Sequence, residues 1–151
     1  MQGILVVGRI LFVLVFLVSG VQKMMDLDGT ANRIEQKVTL PAALSGVTAK
    51  ITAATNLSTP KLLAIVSGAV EVIGGLLIVF GIGTRLAALA LIVYVGVVTF
   101  YFHDFWNMAD PDRAANIVNA LKNASMIGGL LILFVFGSRP LVSRAPVEVL
   151  E

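Results

Sequence analysis

The sequence predicts an all-α integral membrane protein, a four-helix bundle whose helices cross a bilayer. Three observations carry that prediction. Of 151 residues, 58% are hydrophobic and only 13% charged, with a mean hydropathy of +0.95, whereas a soluble domain is nearer half apolar and a quarter charged. Four apolar stretches approach the roughly 20 residues needed to span a hydrocarbon core. Between Gly83 and Leu86 the chain turns back in only a few residues, which folds the second and third of them into an antiparallel hairpin. The length allows a single domain, 1–151, and excludes a large soluble catalytic domain.

The first span, about 4–24, contains Arg9 and closes on Ser19, Gly20 and Lys23. A bacterial signal peptide also begins with a basic residue and an apolar run. No small-x-small cleavage site follows Gly20, so the segment is read as a retained span. In the loop 25–61, Leu40, Leu44, Val47 and Ile51 recur at helical intervals, with Pro41 in a first turn and Thr39 as a cap. They predict a short helix over 41–55, either an interfacial helix on the membrane surface or a lid packed on the bundle. The second span, 62–82, contains Glu71. The third, 86–103, ends among Phe100, Tyr101, Phe102, Phe105 and Trp106, an aromatic belt at the membrane edge. The fourth apolar core is short, and reaches spanning length as 117–137 only if Leu121 and Lys122 lie on the helix.

The series Ile73, Gly74, Gly75, Leu76, Leu77, Ile78, Phe80, Gly83, Arg85 returns with the same spacing as Ile127, Gly128, Gly129, Leu130, Leu131, Ile132, Phe134, Gly137, Arg139. Arg9 with Gly20 is echoed by Arg85 with Gly96. The pattern reads as a 2+2 duplication of a helix pair, or as one good packing motif used twice. It places Arg9, Arg85, Arg139 and Arg144 at one face of the membrane. Counting basic residues in short segments then puts both termini in the cytoplasm, although the raw count of bases favours the other face.

Lipid tolerates few polar groups. A carboxylate at the centre of a span costs on the order of 3 kcal/mol, so Glu71 requires a partner. The repeat puts Ser125 at its level, with Lys122 about 4.5 Å further out. These heights predict a buried or ligand-binding cluster of Glu71, Lys122 and Asn123, joined by Arg9 and Ser125. The cluster serves either helix packing, aided by the small pairs Ala64 with Gly68, Ala124 with Gly128 and Ser125 with Gly129, or a function in which Glu71 changes protonation or orients a ligand. His103, Asp104, Trp106 and Lys23 form a second set, an interfacial entrance for protons or ligand, or ordinary interfacial polar residues. Tyr94 reads as packing. The absence of cysteine removes thiolate metal sites and thiol relays. No metal site, nucleotide loop or hydrolytic triad is legible, and the net charge of +2 is too small and scattered to suggest nucleic acid.

Gly8-Arg9-Ile10-Leu11, Ser19-Gly20 with Lys23, Glu71 before Gly74-Gly75, Thr84-Arg85, His103-Asp104-Phe105-Trp106 and Leu121-Lys122-Asn123 occur in that order along nearly the whole chain. Together they resemble the DoxX family of small four-helix bacterial membrane proteins. The resemblance implies a multi-pass protein of the bacterial inner membrane, associated with redox assemblies. Because no cofactor-binding motif is evident, an accessory or quinone-linked subunit is expected rather than a self-sufficient oxidoreductase. A non-catalytic scaffold of a larger complex is the alternative, and a small transporter-like oligomer the third reading. No intrinsic cofactor is evident; quinone or lipid is the expected ligand. The expected partners are membrane lipids and either other proteins or further copies of the chain. The loop 25–61 is longer than the compact family pattern.

Overall fold

The computed structural model describes residues 2–137, and among these the chain is helical without strands. Helix α1 runs Gln2–Met25, α2 Leu27–Lys37, α3 Ser45–Thr55, α4 Thr59–Phe80, α5 Thr84–Phe102 and α6 Asp112–Phe136. Four of these, α1, α4, α5 and α6, are long and apolar enough to cross a membrane. Arg139 and Arg144, counted above toward orientation, lie outside the described residues, as do Glu148 and Glu151.

Glycine sets the turn between α4 and α5. Gly81 has a φ of 70° and Gly83 one of 55°, in the left-handed region that side chains disfavour. The amide of Ile82 returns to the carbonyl of Leu77 at 3.0 Å, which closes α4 as a Schellman motif and reverses the chain at once. The hairpin so formed places α4 and α5 side by side. Helix α1 lies against α4, and α6 against α5, so the bundle consists of two tight pairs joined through the α4–α5 contact.

The α1–α4 contact depends on two glycines that face each other. A Cβ on Gly20 would sit 2.9 Å from the Gly68 carbonyl oxygen, and one on Gly68 would sit 3.1 Å from that of Gly20. Backbone touches backbone there, the close approach that small residues permit between membrane helices. Helices α1 and α6 are instead bridged by side chains, with the Phe12 ring resting on Gly129. Below this crossing Val13, Phe16, Ile78, Leu91 and Leu130 form the dry centre of the bundle. Elsewhere the spans expose Ile4, Leu11, Val66, Ile73, Leu86, Val93, Ile132 and similar residues outward, as expected of a surface solvated by lipid.

Two short helices occupy the long loop. Helix α3 continues a 3₁₀ turn at Ala42–Leu44 and matches the helix expected there. It buries none of its residues, and Leu44, Val47 and Ile51 remain exposed; it is not a lid. Helix α2 was not anticipated. Asp26 caps it by accepting from the Gly29 amide at 3.0 Å, and Ala31 and Ile34 are buried against the bundle. The stripe of Leu27, Ala31, Ile34 and Val38 is helical in spacing, but it is short and interrupted by charge. An exposed ion pair of Asp28 with Lys61 at 2.6 Å, which adds little stability, and a half-buried one of Lys37 with Asp104 at 3.8 Å flank α2.

Gly20→Val is expected to destabilise the protein by about 1–3 kcal/mol, because the methyls meet backbone that has no room to retreat. Gly96→Ala, whose Cβ would meet nothing within 4 Å, should be neutral or slightly stabilising. Thermal unfolding of both variants in detergent micelles provides the comparison.

Candidate functional site

Glu71 sits in the middle of α4, buried with 5% of its side chain exposed. Its base is Lys23. The ammonium donates to the Glu71 Oε2 oxygen, to the Tyr94 hydroxyl at 2.6 Å and to the Ser19 Oγ at 3.0 Å. An ammonium has three N–H donors, and all three are engaged. Lys23 lies near the end of α1, yet side chains on a helix lean toward its N-terminus. The lean returns the ammonium by one turn, to the height of Ser19 and into the bundle. The Gly20–Gly68 contact sets α1 close enough for that reach to end on Glu71.

The expected partner is corrected accordingly. Lys122 is exposed on the outer side of α6 and makes no ion pair with Glu71. Heights along the helices placed it well, but azimuth decides: Asn123, the next residue and about 100° round the helix, takes the inward direction that Lys122 does not. Ser125 is exposed and donates to the Leu121 carbonyl of its own helix at 3.1 Å, outside the cluster. Arg9 is also separate. It is buried near the opposite end of the bundle and donates to the Gly137 carbonyl at 3.4 Å, where a cation complements the C-terminus of α6.

A second polar pair series runs between α5 and α6. His103 Nδ1 meets Asn116 Oδ1 at 2.9 Å. Deeper by about one turn of α5 and two of α6, Asn123 Nδ2 donates to Thr99 Oγ1 at 2.8 Å, and Thr99 in turn donates to the Val95 carbonyl at 2.7 Å. A cavity of about 150 Å³ joins these to the ion pair, with Ser19, Lys23, Glu71, Tyr94, His103 and Asn123 in its wall. A neighbouring recess of about 290 Å³ under α2 shares Lys23, Tyr94 and His103 and adds Thr30, Arg33 and Ser67. Asp104 lines neither; it faces Lys37 of α2. Trp106 also stays out, tilted against Phe100 at 5.8 Å and edge-on to Phe105 at 5.1 Å by ring centroids.

The third recess is apolar. It measures about 510 Å³ and lies between α4 and α5 beneath Ile34 and Val38, with Leu63, Val66, Leu89, Val93 and Val97 in its wall. Tyr94 and Val98 border all three recesses. The Tyr94 hydroxyl accepts from Lys23 and lies beside the Glu71 carboxylate. Chemically, the arrangement offers a hydrocarbon groove ending in a phenol, an imidazole and a neutralised ammonium–carboxylate pair. A ligand with a long apolar tail and a carbonyl or hydroxyl head matches that gradient.

Sequence reasoning gave Tyr94 to packing and did not single out Thr99, Asn116 or Ser67 for a site. Ser19 and Lys23, four residues apart on one helix face, were a signal that could have drawn the base from α1. Nothing comparable marked Tyr94, whose role arises from its neighbours on other helices.

Comparison with known proteins follows the same outline. The DoxX family model matches residues 4–104, which include Lys23, Glu71, Tyr94 and His103 but not α6. Over 134 residues the chain is 31% identical to a protein of Escherichia coli (strain K12) described as inner membrane protein YphA, covering 89% of this chain and 83% of that one. No solved structure matches.

Lys23→Met strands the buried Glu71 carboxylate and is expected to cost about 3–5 kcal/mol, whereas Lys122→Met should change stability by less than about 0.5 kcal/mol. Adding Glu71→Gln to Lys23→Met should recover most of the loss. Denaturation midpoints of the four proteins, wild type included, check the set; equal effects at the two lysines would contradict the pairing.

Proposed function

The chain belongs to the DoxX family, and from that premise we propose that it is an accessory subunit of a redox assembly in the inner membrane, binding a lipid-soluble quinone in its bundle, with both termini cytoplasmic. The observation that supports this most is that the apolar and polar recesses share Tyr94 and Val98 in their walls. A hydrocarbon tail fits the α4–α5 groove, and a quinone head fits the polar end where Tyr94 and Lys23 meet.

Each side chain then has a task. The phenolic proton of Tyr94 donates to a carbonyl oxygen of the head. Lys23, held by Glu71 and Ser19, fixes the direction of that phenol and supplies positive potential beside the oxygen. Asn123 and His103 line the polar wall, where an amide and an imidazole can bond or exchange protons. A bound quinone would supply the capacity to take up electrons and protons. In this reading the electrons come from a partner protein, and the role is accessory rather than that of a self-sufficient oxidoreductase. A purely structural role has its own support, since the Lys23 contacts fasten α1, α4 and α5 together beside the glycine crossing.

Purification in native-lipid particles, followed by solvent extraction and mass analysis, separates these readings. Wild type should carry about one quinone per chain. Tyr94→Phe, which loses one hydrogen bond to the head worth about 1.4 kcal/mol, should lower occupancy about tenfold; because it also leaves one Lys23 donor without its acceptor, it is expected to lower the melting temperature, and occupancy is read well below that midpoint. Wild-type protein free of quinone but held in a stable complex would overturn ligand binding in favour of the scaffold.

A further inference from the structure

The wall of the polar cavity is uneven along the membrane normal. Toward the face that carries α2 and α3 a polar side chain stands at every level, among apolar neighbours such as Phe16, Val98 and Phe102. Glu71 and Lys23 are followed by Asn123 with Thr99 and then by His103 with Asn116. The adjoining recess continues past Thr30 to Arg33, whose side chain is 74% exposed. The cavity's volume of about 150 Å³ is several times the ~30 Å³ share of one water, and its groups offer each water several hydrogen-bonding partners.

Toward the opposite face the bundle is dry. Residues 10–18, 72–80, 86–93 and 126–136 contain no polar side chain. Val13, Ile78, Leu91 and Leu130 are wholly buried in that layer, and the Phe12 ring closes on Gly129. From Phe16 to Arg9 the layer is about 10 Å thick at 1.5 Å per residue. Packed apolar cores of this kind hold no water.

We propose that the polar recess is a one-sided aqueous vestibule, bringing water and protons to the Lys23–Glu71 pair from the face that carries α2 and α3 and from no other. The groups facing Glu71 are Ser19 and Lys23 of α1 and Tyr94 of α5, with Asn123 of α6 and His103 beyond the end of α5 in the same wall. Arg33 of α2 stands at the outer mouth. Exchange at the pair therefore follows the pH of one compartment. Resting in addition on the quinone reading, protons taken up or released by the bound head pass through His103 to that same compartment.

The chain has no cysteine, so single-cysteine labelling has no background. Asn123→Cys and Val98→Cys report the vestibule, and Val13→Cys the dry layer. Arg33→Cys marks one face and Ile82→Cys, in the α4–α5 turn, the other. Right-side-out and inside-out vesicles are treated with a cationic, membrane-impermeant methanethiosulfonate, and adducts are read by mass. Asn123→Cys and Val98→Cys should react in the vesicles where Arg33→Cys reacts, at least about tenfold faster than in those where Ile82→Cys reacts; Val13→Cys should react in neither. Labelling of the two vestibule positions from neither face or from both, or labelling of Val13→Cys, would overturn the proposal. Only variants melting within a few degrees of the parent are compared, and Val98→Cys, which removes no hydrogen bond, decides alone if Asn123→Cys is lost. Quinone content plays no part in this readout, so failure of the vestibule and failure of ligand binding are separate results.

Discussion

A carboxylate inside a bilayer must be neutralised by a nearby base, and the rest of this structure depends on how Glu71 meets that demand. An unpaired charge there would cost several kcal/mol. Lys23 supplies the opposite charge, and its remaining donors are taken by Tyr94 and Ser19. The pair therefore fixes not one contact but three helices, α1, α4 and α5. Low dielectric strengthens the attraction between them and makes any partial satisfaction expensive.

The pair is reachable because of what surrounds it. Without side chains at Gly20 and Gly68, α1 and α4 touch backbone to backbone, and a lysine near the end of one helix can lean back to the middle of the next. Opposite them, the Phe12 ring rests on Gly129 of α6, and Phe16 stands in the cavity wall. Tight packing on one side and bulky packing on the other are thus parts of one arrangement.

That interior joins two environments. The α4–α5 groove is lined by aliphatic side chains, whereas the recess under α2 ends on Arg33. Tyr94 borders both, its ring among aliphatic residues and its hydroxyl on the ammonium, which is the amphipathic use for which tyrosine is suited. Helix α2 roofs the boundary through Ile34, while α3 leaves its apolar stripe exposed, in keeping with an interfacial helix.

The membrane class, the four spans and the need of Glu71 for a base were legible in the sequence, because hydrophobic run length and the cost of a buried charge are local quantities. So was the helix near 41–55, through its spacing. Helix α2 was missed although Asp26 and the Leu27, Ala31, Ile34 stripe signal it, since a short stripe among charges resembles a solvated loop. Which lysine serves Glu71 was not legible. Residue spacing gives height along a helix, and on height alone Lys122 qualified as well as any base. The direction a side chain faces is set by how each helix is rotated against its neighbours, and that rotation follows from the Gly20–Gly68 contact and the aromatic spacers together. Only the packed bundle turns Lys122 and Ser125 outward, turns Asn123 inward, and brings Lys23 and Tyr94 to one carboxylate.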